Sequence, residues 1–183
     1  MRVSAYDVAV ALRRRVPGLP TKKLHKLLYY CQGHHLAAFG EPLFDETISA
    51  WDMGPVVGKL WRREKDAEAF PVPAELTEPQ LNTVGYVLSR YGGLTGLDLE
   101  HLTHSEEPWQ RANRVRRPHD TARIEIDWMK AHFTGTAAIT DDDEPTLDPE
   151  AVARWLREAG QRYSGSLSSD RPEELRARLA PRA

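Results

Sequence analysis

The sequence predicts a mainly α-helical protein: a compact multi-helix domain with a small β element, followed by a helical C-terminal appendage. Apolar residues recur at spacings of three and four along most of the chain, and Ser, Thr, Gly and Pro residues mark the ends of these runs. Only residues 47–51, a short segment with β-branched and aromatic residues at its ends, favour a strand.

The first predicted helix is capped by Ser4, a residue type whose side chain accepts a hydrogen bond from the first turn. Val8, Ala11 and Leu12 follow the i, i+3, i+4 spacing of a buried helix face. Two prolines in residues 17–20 end this helix.

The second predicted helix is the longest and extends from near Thr21 to a C-cap at Gly40. Its core-facing positions are Leu24, Leu27, Leu28, Cys31, His35 or Leu36, and Ala38. Lys22, Lys26 and Gln32 fall on the opposite, polar face.

A sharp turn is predicted at Gly54 and Pro55, after a strand that we expect to pair in a hairpin with residues elsewhere. Glycine tolerates backbone angles that other residues resist, and proline suits the first position of a helix, where its missing N–H has no partner. The turn therefore predicts a third helix through Val57, Leu60 and Trp61.

Later helices are predicted where a capping residue precedes an apolar stripe. Thr77 with Pro79 opens one such helix, Thr95 opens another, and Ser105-Glu-Glu-Pro-Trp109 resembles a further cap. A helix over residues 124–133 carries Ile126, Met129 and Phe133 on one face.

Composition divides the chain into three parts. Residues 1–133 form the predicted domain, and residues 134–148 form a small, polar and acidic linker of a kind that rarely buries enough surface to order itself. Residues 149–183 form the helical appendage, whose apolar stripe consists of Val152, Trp155, Leu156 and Ala159.

Composition also limits the class of protein. No segment reaches the roughly 18 consecutive apolar residues that span a membrane, and charged residues near the N-terminus argue against a signal peptide. The single cysteine, Cys31, can form no intramolecular disulfide, which fits a reducing compartment. We therefore expect a soluble, cytoplasmic protein.

Catalytic and metal-binding motifs are not evident. Cys31 lies one helical turn from His34 and His35, but a zinc site needs about four ligands and no CxxC or HExxH partner exists. No phosphate-binding loop, dinucleotide motif or hydrolase motif occurs. We expect no enzymatic activity, no metal and no cofactor.

Two other groups of side chains have open interpretations. The arginines of residues 13–15 and 111–123 could face phosphates, an acidic protein or only solvent; the net charge of −2 makes nucleic acid the less favoured partner. Trp51, Trp61 and Trp109 could anchor an interface, although the turn signals beside them favour a place in the core.

An ordered series of motifs runs through residues 1–133: Thr21-Lys-Lys-Leu-His-Lys-Leu-Leu-Tyr-Tyr30, Pro42-Leu-Phe44, Ala50-Trp51, Gly54-Pro-Val56 and Pro108-Trp109. This series resembles the Panacea domain, also described as the SocA-like or GepA-like antitoxin domain. The resemblance implies a non-enzymatic antitoxin of a toxin–antitoxin system, which binds a cognate toxin encoded next to it and holds it inactive. Some relatives instead deliver their toxin to a protease.

The resemblance also suggests site residues. We expect partner contacts at Lys26, Tyr29, Tyr30, Trp51 and Asp52, and a structural turn at Gly54 and Pro55. Trp155 and Leu156 could place the appendage across the toxin as a helix in a groove. The alternatives are a DNA-binding autoregulator and an adaptor that delivers a partner to a protease.

Overall fold

The structure, a computed structural model of the chain, describes the backbone of residues 3–143 and the side chains of residues 3–136. Seven helices and three short strands follow one another in this part of the chain. They are α1 (Ala5–Arg15), α2 (Thr21–Phe39), β1 (Ile48–Trp51), β2 (Gly54–Val57), α3 (Gly58–Lys65), α4 (Glu78–Tyr91), α5 (Gly96–Ser105), α6 (Glu107–Val115), β3 (Ala122–Arg123) and α7 (Ile126–Asp143). The predicted mainly α-helical fold with a small β element is confirmed.

Reciprocal side-chain caps begin α1, α4 and α5 at the capping residues that the sequence predicts. At α1, the Ser4 hydroxyl accepts a hydrogen bond from the Asp7 N–H, and the Asp7 carboxylate accepts one from the Ser4 N–H. Thr95 and Asp98 form the same arrangement at α5. At α6, however, the N-cap residue is Glu106 rather than Ser105.

The long helix α2 is surrounded by other elements, since α1, α4, α5 and β2 all pack against it. The predicted polar face is therefore wrong for two residues: Lys26 is 1% exposed and Gln32 is fully buried. Ala38, predicted to face the core, is exposed near the end of the helix. A helix enclosed on several sides has no continuous polar face for a sequence pattern to reveal.

Gln32 joins α2 to the loop that follows it. Its amide Nε2 donates to the Phe44 carbonyl at 2.9 Å, and its Oε1 accepts from the N–H groups of Leu43 and Phe44. Gly40 ends the helix in the left-handed conformation, with φ at 73°, as the C-cap prediction requires.

The three strands form one antiparallel sheet in the order β2-β1-β3. The predicted helix start at Pro55 is wrong, because residues 54–57 form β2 and the helix begins at Gly58. The hairpin partner of β1 is thus the segment immediately after it, with Trp51 opposite Gly54. Proline is tolerated in β2 because this is an edge strand of the sheet.

The last described helix begins later than the sequence predicts and extends beyond residue 133, its predicted end. Ile124 directly follows β3, and its N–H donates to the Ile48 carbonyl of β1 at 2.9 Å. Helix α7 begins at Ile126. The helix continues past Thr134, the predicted start of the acidic linker, and is described to Asp143. Residues 144–183, which comprise the last five residues of the predicted linker and the whole appendage, lie outside the described residues.

Packing between α2 and α7 is close at Gly33. A Cβ at this position would overlap the ring of Phe133, which is itself buried. Phe133 also packs edge-on against Tyr29, with ring centroids 5.5 Å apart. This contact places the aromatic part of the core between the two helices.

Candidate binding cleft beside the hairpin

A cleft of about 520 Å³ opens where the β1–β2 hairpin meets the N-terminal end of α2. This volume lies within the range of ligand sites in proteins. We call it the hairpin cleft and define it by its lining residues: Thr21, Lys22, His25, Lys26, Trp51, Asp52, Met53, Val56, Trp61, His119, Asp120 and Thr121.

Gly54 sets the position of the hairpin over α2. Its φ of 101° is a conformation that residues with a side chain rarely adopt. A Cβ at this position would also lie 2.8 Å from Cε of Lys26 and 3.1 Å from Oγ1 of Thr103. Only glycine therefore allows the hairpin turn to lie this close to α2, as the prediction of a structural turn requires.

Two tryptophans form the apolar wall of the cleft. The indole rings of Trp51 and Trp61 meet edge to face, with centroids 5.0 Å apart. Both are partly exposed, and Met53 at the tip of the hairpin is 55% exposed. Such a surface can receive an aromatic or aliphatic group.

An ion-pair group lies at the rim of the cleft. The Arg116 guanidinium donates to the Asp52 carboxylate at 2.6 Å, and His119 lies 3.2 Å from the same carboxylate. The hydrogen bond from Arg116 lowers the pKa of Asp52 below its ordinary value. This group joins the tip of the hairpin to the loop that follows α6.

Two consecutive buried bases, His25 and Lys26, form the floor. The Val57 N–H donates to Nδ1 of His25 at 3.3 Å, and Nζ of Lys26 donates to the Pro55 carbonyl at 3.5 Å. Burial lowers the pKa of His25 to about 4 and that of Lys26 to about 8. His25 is therefore neutral at pH 7, while Lys26 is mostly protonated in an environment with little water.

A second group of polar side chains lies inside the fold. Glu106 accepts hydrogen bonds from the hydroxyls of Tyr29 and Tyr30, at 2.8 and 3.0 Å. Burial raises the pKa of Glu106 to about 7, although the two hydroxyl donors act in the opposite direction. Tyr30 stacks on Tyr91 with centroids 3.9 Å apart. The cluster ties α2 to α4 and α6.

The structure brings together three of the predicted partner-binding residues. Lys26, Trp51 and Asp52 all line the hairpin cleft. Tyr29 and Tyr30 are fully buried in the polar cluster with Glu106. Trp155 and Leu156 lie outside the described residues.

Two residues of these sites are not predicted from the sequence. His25 occupies an interior position that the predicted helix faces do not single out. Glu106 is noted only as part of a helix cap, and the tyrosines that it contacts are 76 and 77 positions away. The adjacent tyrosines of the second helix are the sequence signal for such a group, because buried tyrosine hydroxyls need a hydrogen-bond acceptor.

Cys31 has the surroundings of a core residue. It is fully buried, and burial raises the pKa of its thiol well above the ordinary value. Within residues 3–136, no group of three or more His, Cys, Asp or Glu side chains could hold a metal ion. None of the helices described in this part of the chain is long and apolar enough to cross a membrane.

Comparison with protein families finds a match that includes part of the hairpin cleft. Residues 24–110 match the family model described as Antitoxin SocA-like, Panacea domain. This segment is similar to a Panacea domain. The match begins in α2 and ends in α6, so the matched segment includes His25, Lys26, the hairpin and Trp61. No curated protein and no solved structure matches the chain.

The match confirms the resemblance seen in the sequence and supports an antitoxin-type role. It covers the segment that carries the long motif of α2, the hairpin motif and Pro108-Trp109. Residues 1–23 and 111–183 lie outside it. The loop with Arg116 and His119 therefore completes the cleft from outside the matched segment.

Proposed function

We propose that this protein is an antitoxin that binds a toxin encoded next to it and neutralises it by direct protein–protein contact, without catalysis. The Panacea match over residues 24–110 is the observation that carries the proposal. The antitoxin would act sterically: it would cover the toxin's substrate entrance or block a conformational change that the toxin needs. The interface would bury roughly 1,200–2,000 Å² in total.

The hairpin cleft is the part of the described surface that we propose as the centre of this interface. Tryptophan is enriched among the few residues that carry most of the energy of an interface, and Trp51 and Trp61 line one wall here. Asp52 adds a charged group on the rim. Trp155 and Leu156 of the appendage are proposed as a second contact.

The buried tyrosines have a different part in the proposal. Tyr29 and Tyr30 hold Glu106 within the fold and thereby fix α6 against α2. Because α2 also forms the floor of the cleft, these residues act on the partner through the shape of the domain. Gly54 and Pro55 act in the same way through the hairpin.

Co-expression with the product of the adjacent reading frame tests this proposal. An affinity tag on the full chain should recover the neighbouring protein, and the complex should elute together in gel filtration. Trp61→Ala should weaken the complex by about 2 kcal/mol, or roughly 30-fold in Kd, by calorimetry. Failure to recover a complex with the wild-type chain would contradict the proposal.

Tyr86→Ala is the matched control, because Tyr86 is also an exposed aromatic residue but lies on α4, away from the hairpin cleft. It should leave the affinity within about twofold. Equal losses for the two variants would exclude the cleft as the centre of the interface, while leaving direct binding intact.

A further inference from the structure

The N-terminal end of α2 has an unusual charge for a helix start. Its first turn contains no acidic residue but two lysines, Lys22 and Lys23, and the N-cap residue Pro20 makes no side-chain cap. Acidic side chains normally occupy this position, because the N–H groups of the first turn are unpaired and the helix dipole is positive there. Thr21 and Lys22 line the hairpin cleft, so this positive end borders it.

His25, one turn further along α2, has an unpaired hydrogen-bond donor. The Val57 N–H donates to its Nδ1, and this hydrogen bond puts the ring proton of the neutral imidazole on Nε2. The side chain is 2% exposed, and Nε2 has no hydrogen-bond partner within the described residues. A buried donor without an acceptor is unfavourable, and an acceptor supplied by a ligand in the cleft would relieve this.

Lys26 adds a second donor next to it. An ammonium group can donate three hydrogen bonds, whereas Nζ of Lys26 makes one long bond among residues 3–136, to the Pro55 carbonyl. Glu100, the carboxylate that acts on it, forms an ion pair with Lys22. Asp52 on the rim is likewise engaged by Arg116. The floor of the cleft thus offers two hydrogen-bond donors and the positive charge of Lys26, while Asp120 adds an exposed carboxylate to the lining.

We propose that the hairpin cleft is a carboxylate-binding site that receives an acidic side chain of the partner protein. The carboxylate accepts hydrogen bonds from Nε2 of His25 and Nζ of Lys26, and the apolar stem packs against the indoles of Trp51 and Trp61. The proposal rests on the proposed function in one respect, that the carboxylate belongs to a protein partner. The chemistry of the site itself follows from the four side chains and the end of α2.

A small carboxylate can test the site without any partner. The ¹⁵N-labelled full chain is titrated with 3-phenylpropionate, and NMR follows the Val57 amide and the indole N–H signals of Trp51 and Trp61. The uncharged 3-phenylpropionamide and the alternative anion phenyl phosphate are titrated in parallel. The carboxylate should shift these signals saturably and bind at least about tenfold more tightly than the amide.

Three outcomes of this titration would overturn the proposal. Equal binding of acid and amide would show that the floor does not recognise charge. Unchanged cleft signals would show that the site does not bind a carboxylate, and tighter binding of phenyl phosphate would assign the site to a phosphate. These comparisons use the wild-type chain and do not depend on the folding of a variant.

Variants locate the recognition and connect it to the partner. Lys26→Met should weaken phenylpropionate binding about tenfold, whereas Lys59→Met, at an exposed lysine of α3, should leave it unchanged. The same pair of variants is then measured against the product of the adjacent reading frame. If Lys26→Met leaves the affinity for the partner unchanged, the acidic contact is refuted, while the antitoxin proposal still stands. If the cleft binds phenylpropionate but the chain does not bind the neighbouring product, the carboxylate site is supported and the antitoxin proposal is contradicted.

Discussion

Glu106 is a carboxylate placed where a charge is poorly accommodated. It lies between α6 and α2, and its side chain is 12% exposed. The hydroxyls of Tyr29 and Tyr30 stabilise the ionised form, yet burial has the larger effect and raises the pKa to about 7. In the unfolded chain the same carboxyl titrates near 4.5, its ordinary value. Between these two pH values the folded state holds more protons than the unfolded state, so this residue makes stability fall as the pH rises.

Glu106→Gln should remove that part of the pH dependence, because the amide does not ionise. Its oxygen can accept from one tyrosine hydroxyl, and its NH2 group can donate to the other. Each unit of pKa shift corresponds to about 1.4 kcal/mol, so the effect is on the order of 3 kcal/mol. The free energy of unfolding in urea, measured at pH 5 and pH 8, should change less for the variant than for the wild type.

Glu107→Gln is the control, since Glu107 is the neighbouring exposed glutamate. It should follow the wild-type profile. If Glu106→Gln also follows the wild-type profile, the carboxylate at position 106 is not the group that couples folding to protons in this interval.

The hairpin and α2 form the pair of elements that determines the shape of the cleft. Gly54→Ala should destabilise the protein by roughly 1–3 kcal/mol, because the left-handed backbone is strained for alanine and its Cβ would meet Lys26. Thermal and urea unfolding measure the loss, and calorimetry should show weaker partner binding at temperatures where the variant is folded.

Gly85→Ala provides the comparison. Gly85 lies within α4, and a Cβ there would meet nothing within 4 Å. Because alanine is the better helix former, this variant should be more stable than the wild type by about 0.5–1 kcal/mol. Similar stabilities for the two variants would contradict the close packing of the hairpin on α2.

Elements with local signals could be predicted from the sequence. Ser4 and Thr95 each precede their acidic capping partner by three residues, so the starts of α1 and α5 follow from short-range chemistry. The β2 strand could not be predicted in this way, because a Gly-Pro pair followed by apolar residues suits a helix start as well as an edge strand. Pairing with β1 selects the strand over the helix, and the sequence of residues 54–57 alone does not predict that pairing.

At the scale of the whole molecule, the sequence could predict part of the site for a similar reason. Lys26, Trp51 and Asp52 could be chosen because they lie in or beside family motifs, and they do line one cleft. Their burial could not be predicted, because α2 is enclosed by elements distant in sequence. The role of His25 depends on Val57, 32 positions away, and a single sequence does not reveal such a contact.

The next prediction concerns the contribution of the C-terminal appendage to neutralisation. Removing residues 144–183 deletes no residue of a described helix or strand, so we expect the domain to unfold at the same temperature as in the full chain. Neutralisation should be lost, because the Trp155 and Leu156 stripe is proposed to contact the toxin. The paired substitution Trp155→Ala and Leu156→Ala in the full chain should reproduce the loss. Full protection by the shortened chain would show that the appendage is not needed.

The central claim, that this protein is an antitoxin, is tested most directly by bacterial growth. The adjacent reading frame is expressed under one inducible promoter and this protein under another, and growth is recorded with each alone and with both. The account predicts that the neighbour alone stops growth, that the full chain restores it, and that Trp61→Ala, present at the same level, restores it less well. A neighbour that leaves growth unaffected, or that stops growth regardless of this protein, would contradict the account.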